Sequence, residues 1–201
     1  GYAVGNKSLL QATKPGAHAE GIAANGNLIA GGTGSHAEGY NTRATGIASH
    51  SEGFTTGATG DYSHAEGNAT KAEGRASHSE GTNTVARGNH AHAEGLNTSA
   101  FGVASHSEGF NTDAIGNHAH AEGQTTTASG INSHAEGRDT TASGTEAHAE
   151  GLGTTASGND AHAENCYTSA IADCSHAEGL YSFTYGVGSH AEGISTGTFA
   201  S

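Results

Sequence analysis

The sequence predicts an all-β fold, a parallel β-solenoid of 14-residue coils with two short strands in each. The first observation behind this is a repeat. His-Ala-Glu or His-Ser-Glu recurs at His36, His50, His64, His78, His92, His106, His120, His134, His148, His162, His176 and His190, always fourteen residues on, with an earlier copy at His18. A period this short leaves room for one supersecondary unit, which buries its inner face only by stacking on its neighbours. The second observation is the pattern inside the period. Gly130 to Gly144, GINSHAEGRDTTASG, splits into two halves, each an alternating five-residue run bounded by Gly and a short turn. That is a strand signature. A glycine every seventh residue also disfavours helix, by about 1 kcal/mol each against Ala.

Alternation assigns faces to both strands. In Ser133-His134-Ala135-Glu136-Gly137, the residues Ser, Ala and Gly share one side and His and Glu the other. In the second strand Thr140, Ala142 and Gly144 share a side. Small residues recur at these places in nearly every coil, so they are expected to fill a flattened interior with room for nothing larger than Thr. The corners reuse Asn and Gly (Asn41, Asn83, Asn97, Asn111, Gly153), which tolerate left-handed backbone.

Taken in order, residues 1–16 read as a partial coil or an N-terminal cap or loop, and residues 17–201 as the roll. Tyr2-Ala3-Val4-Gly5 resembles the end of an earlier strand, and Asn6 to Pro15 a loop or cap with the only proline. The step from His18 to His36 is eighteen residues, so four extra residues are expected to bulge from a corner between Ile22 and Gly34. From His36 to His190 the register is unbroken. Toward the end Asn165 and Ala172 replace Gly, and Tyr181, Phe183, Tyr185 and Phe199 add bulk expected to mark a packing transition to a following domain. The chain stops at Ser201 in mid-coil, and since an open solenoid edge invites pairing, a longer protein is expected.

Composition fits an elongated repeat domain: 201 residues with 33 Gly, one Pro, no Trp and no Met. Its apolar content of 33% is largely alanine, so a lone roll buries mostly methyl groups and packing against further copies is expected to help hold it. The net charge of −13 comes from 7 basic and 20 acidic residues, and protonating the motif histidines would cancel it. With no basic run, nucleic acid is not an expected partner. Cys166 and Cys174 fall at different corners of adjacent coils, about 15 Å apart, beyond disulfide reach. No apolar run approaches the length of a membrane span.

At these heptads the chain resembles the head repeats of YadA-like trimeric adhesins, in the HAEG-type version seen in bacterial surface and phage-fibre proteins. The resemblance covers Gly34 to about Ala200. It implies a left-handed parallel β-roll packed as a parallel homotrimer. It places the family's small residues on Ser133 and Ala135, and puts His134 and Glu136 where the family has the Val and Ile of its trimer-facing strand. A cell or virion surface location follows from the same resemblance, as does a host-surface protein or glycan as an outside partner, with no membrane contact in this segment.

The outward face of the second strand varies freely (Arg43/Thr45, Lys71/Glu73, Val85/Arg87, Phe183/Tyr185), whereas the first strand never does. A face that never drifts is touching something. The expected trimer interface is therefore His36, Glu38, His50, Glu52, His64, Glu66, His78, Glu80, His92, Glu94, His106, Glu108, His120, Glu122, His134, Glu136, His148, Glu150, His162, Glu164, His176, Glu178, His190 and Glu192. Catalysis is not expected, because enzymes set such groups once, in a cleft with distinct environments. Hydrogen bonding between an ionised Glu and its His across protomers is preferred to a metal or other cofactor. The alternative function is a ligand- or metal-binding solenoid using the same ladder. His90 and His118 read as exposed turn residues. The Thr ladder from Thr42 to Thr168 is expected to face inward, which leaves no flat ice-binding plane.

Overall fold

The computed structural model describes residues 2–5, 10–23 and 28–198. The chain divides into two compact units, residues 1–100 and 101–201. Both are parallel β-solenoids, with no helix among the described residues.

In the first unit, Tyr2–Gly5, His18–Ile22, His36–Tyr40, His50–Phe54, His64–Asn68, His78–Ser79 and His92–Leu96 form one parallel sheet. Leu10–Ala12, Leu28–Ala30, Arg43–Ala44, Gly57–Ala58, Lys71–Ala72, Val85–Ala86 and Ser99–Ala100 form the other. In the second unit the first sheet holds His106–Phe110, His120–Gln124, His134–Arg138, His148–Leu152, His162–Ala163, His176–Ala177 and His190–Ala191. Its companion holds Asp113–Ala114, Thr127–Ala128, Thr141–Ala142, Thr155–Ala156, Ser169–Ala170, Phe183–Thr184 and Gly197–Thr198. Register places like on like: His50, Ser51 and Glu52 pair with His64, Ala65 and Glu66, and His120, Ala121 and Glu122 with His134, Ala135 and Glu136.

The interior is as small as the sequence implies. Ala135, Ala142 and Thr140 are fully buried, and Ser133 nearly so. Where a Ser precedes the motif His, its hydroxyl closes the corner with a short bond, such as Ser133 Oγ donating to the Gly130 carbonyl at 2.8 Å. Where the motif reads His-Ser-Glu, the extra buried hydroxyl needs a partner and finds the facing threonine: Ser51 with Thr56 at 2.8 Å, Ser79 with Thr84 at 2.7 Å and Ser107 with Thr112 at 2.8 Å. Ala135→Leu is expected to overfill this space at about 1–3 kcal/mol, while Ser143→Leu, on the exposed side of the second strand, should leave thermal stability unchanged. Equal melting shifts for the two would contradict these faces.

Four expectations are corrected. First, Gly137 does not share the inner face: it is exposed. Its φ of 105° ends the alternation and swings the chain outward. Second, the corners are not reserved for Asn and Gly, since Ala48, Thr55, Tyr62, His90, Glu146 and Cys174 also take φ between 49° and 60°; the stacked coils hold the backbone there whatever the side chain. Third, Leu28 is fully buried in the place Thr42 and Thr56 take in the next coils, so residues larger than Thr do fit. The register places the four extra residues of the His18 coil between Ile22 and Leu28; residues 24–27 lie outside the described residues. Fourth, within Asn6 to Pro15, read as loop or cap, Leu10–Ala12 is a strand paired with Leu28–Ala30, while Tyr2–Gly5, read as a strand end, does pair with His18–Gly21. Residues 6–9 of that stretch, and Phe199, lie outside the described residues.

Candidate functional site: the His/Glu ladder

Every motif His opens a strand and every motif Glu stands two residues on, on the side away from the interior. Because the strands pair in register, the imidazoles stack. Ring centroids are 4.8 Å apart with planes within 10° for His50 and His64, and 4.8 Å and 2° for His106 and His120. The stack holds in both units, up to His176 and His190, where the planes open to 25°. The rings are half-buried: the side chains of His134 and Glu136 keep 36% and 33% of their exposure.

The structure brings His and Glu together, at distances that mostly exceed a hydrogen bond. His36 Nε2 lies 3.5 Å from Glu38, His64 Nε2 3.6 Å from Glu66, and His120 Nε2 3.7 Å from Glu122, each within its own coil. Further on, the partner is the Glu of the preceding coil: Glu150 for His162 at 3.7 Å, and Glu164 for His176 at 3.1 Å. Only the last of these is a hydrogen bond among the pairs named here. The Nε2 atoms of His36, His50, His64, His78, His120, His134 and His148 are shut off from solvent and make no hydrogen bond among the described residues.

Electrostatics within the ladder run mainly from like to like. Burial, and then the stacked neighbouring imidazoles, hold His50 and His134 below the usual histidine range. The carboxyls lie within reach of one another and share protons. Glu122 is pushed up to about 7 by hydrogen bonds with Glu108 and Glu136, and Glu150 to about 7 by Glu136, whereas Glu136 is held low by Glu150 and Glu122. From Glu122 to Glu178 raised and lowered carboxyls thus alternate from rung to rung, a pattern that reading His-Glu pairs one at a time does not reveal.

The ladder contains ligand sets for a divalent metal, such as Glu38, His50 and Glu52, or Glu66, His78 and Glu80, whose donor atoms lie within 4.8 Å of one another. Both of these sets combine one His with carboxylates from two levels, and His162, Glu164 and His176 form a set with two His.

Two further sets of contacts hold coil to coil and escaped the sequence reading. Asp61 Oδ1 accepts the amide of Ile47 at 2.8 Å, Asn89 that of Arg75 at 2.9 Å, and Asn117 that of Val103 at 2.9 Å. The Asn and Asp recurring three residues before the motif His were the available signal. The second set is the row of residues following the Gly of each motif, which stacks Tyr40 on Phe54 at 4.9 Å and leaves Phe54, Leu96 and Phe110 exposed beside the ladder. His90 and His118 sit exposed at corners, and Cys166 and Cys174 are both free thiols.

Fold and ladder together define a β-solenoid repeat protein with one invariant face. Residues 79–105, 121–147 and 135–161 match the family model of the YadA head domain repeat, the family whose head repeats the sequence resembles. No curated protein matches the chain.

Proposed function

We propose that the chain is a non-enzymatic, trimeric head or stalk segment, displayed on a bacterial cell surface or a phage fibre, in which the His/Glu ladder of each copy packs against the other two. The observation that carries this reading is the ladder itself. The Nε2 atoms of His36, His50, His64, His78, His120, His134 and His148 are shielded from water and make no hydrogen bond among the described residues. Such groups are costly to leave unsatisfied, and further copies would supply partners along the whole row. The exposed Phe54, Leu96 and Phe110 beside it add apolar area to the same contact. The match to YadA head repeats supports both the assembly and the surface location. Identical rungs supply no unique pocket for chemistry, which supports a structural and adhesive role, with a host-surface protein or glycan as outside partner. A metal-binding face remains the second reading, on the strength of the Glu-His-Glu sets.

Light scattering on the soluble chain is expected to give about three times 19.8 kDa. A stable, folded monomer at micromolar concentration would overturn the assembly.

A further inference from the structure

The exposed side of the second strands carries one notch. Arg43, Gly57 and Lys71 hold the same place in three successive coils, each about 4.8 Å from the next. Gly57 has no side chain to put between the two cations, and a Cβ there would meet no atom within 4 Å. The resulting cavity of about 310 Å³ is lined by these three residues together with Thr55, Thr59 and Glu73.

Its charge is unusual for this chain, which has only 7 basic residues against 20 acidic ones. Arg87 is held by Glu73 at 2.7 Å, Arg138 by Asp139 at 3.6 Å, and Arg75 lies over the Tyr62 ring at 5.5 Å. Arg43 and Lys71 have no ion pair among the described residues, and both are exposed on the rim of the notch.

We propose that this notch binds an anionic sugar residue, its sulfate or carboxylate lying over Gly57 between Arg43 and Lys71. The cavity exceeds what a bare anion fills, and its rim offers hydroxyl-binding groups: Thr55 and Thr59 as donors or acceptors and the Glu73 carboxylate as an acceptor. Glu73 also disfavours a ligand charged throughout, such as an acidic peptide. The site faces away from the ladder, so it stays open when the ladder is covered. The proposal names a ligand for the adhesive head argued above. A trimer that binds no sugar ends this proposal and leaves that one standing, and a monomer that binds the sugar does the reverse.

Calorimetric titration of the soluble chain with a sulfated disaccharide, a uronic-acid disaccharide and a neutral disaccharide tests it. A charged sugar is expected to bind at least about tenfold more tightly than the neutral one, and the tighter of the two charged sugars identifies the anion. Arg43→Gln with Lys71→Gln should lose about tenfold or more in affinity. Gly57→Val keeps every charge and places in the notch the side chain that Val85 carries at the same position two coils on, so it should lose affinity equally without lowering the melting temperature. Equal binding of the neutral sugar, no binding of either charged sugar, equal binding of an acidic peptide, or unaltered affinity in Gly57→Val would each overturn the proposal.

Discussion

Gly130→Ala is expected to destabilise the second unit by about 3 kcal/mol or more, at the upper end of what overpacking costs. The added methyl would fall on the carbonyl oxygen of Gly144, one coil on, with the carbonyl of Ser143 also close. Both are backbone atoms, so no side chain can turn away to make room. Relief requires parting the coils, and that breaks the hydrogen bond from Gly130 N to the Ala142 carbonyl one coil on. In a stacked array stability is roughly a sum of nearest-neighbour terms, so a fault at one junction should also broaden the transition as the flanking coils uncouple. Urea unfolding of the variant beside Ser143→Leu measures the effect. A Gly130→Ala protein that unfolds at the parent's midpoint with the parent's slope would mean that the coils do not approach this closely.

Thermal stability is expected to pass through a maximum in mildly acidic solution, near pH 5 to 6 by the carboxylate ranges involved. Glu122 and Glu150 are raised to about 7 by proton sharing with neighbouring carboxyls. Their contribution is full below the unfolded value near 4.5 and is lost as pH rises toward 7. Glu136 is held low by Glu150 and Glu122; at Glu164 burial pushes upward, but hydrogen bonds from Glu178 and His176 outweigh it. These two contribute above about 4.5 and fail as pH falls through their depressed values. His50, His64, His134 and His162, lowered first by burial and then by neighbouring imidazoles, contribute fully above about 6.5 and fade with acid. They therefore oppose the carboxyls between about pH 4.5 and 7, and the carboxyls carry the larger shifts. Melting temperature followed across this range should fall on both sides of the maximum. Glu122→Gln with Glu150→Gln, which fixes the protonated form, should flatten the limb toward pH 7. If the double variant keeps the parent's slope there, the carboxyls do not share protons.

Much of this was legible in the residues because the period admits one stacking. Ser133, Ala135, Thr140 and Ala142 announce an interior lined with small groups, and His134 and Glu136 an outer row. What escaped has physical causes. Gly137 looks like another small inner residue, and only its positive φ shows the chain leaving the strand. Leu28 looked too large because Thr42 to Thr168 hold its place in the coils that follow. Histidine beside glutamate suggests a local ion pair, with the His pKa raised. In the fold, burial and the nearest imidazole one rung away act in the opposite direction at His50 and His134, and each carboxyl answers chiefly to other carboxyls. Sequence spacing along a strand does not display contacts that run across strands.

Like-on-like pairing has a consequence for how such a chain can change length. Removing fourteen residues rejoins a coil to one that presents the same His, Ala and Glu in the same register, so the cut leaves no mismatched rung in the ladder. The corners are more exacting. Between Ile47 and Asn117 the amide-capping Asp61, Asn89 and Asn117 recur every twenty-eight residues, as do the buried pairs of Ser51, Ser79 and Ser107. Over this stretch the conserving unit of insertion or loss is two coils, and a gene that gained or shed segments in that step would lengthen or shorten its product while keeping the amide caps and the buried hydroxyl pairs in step.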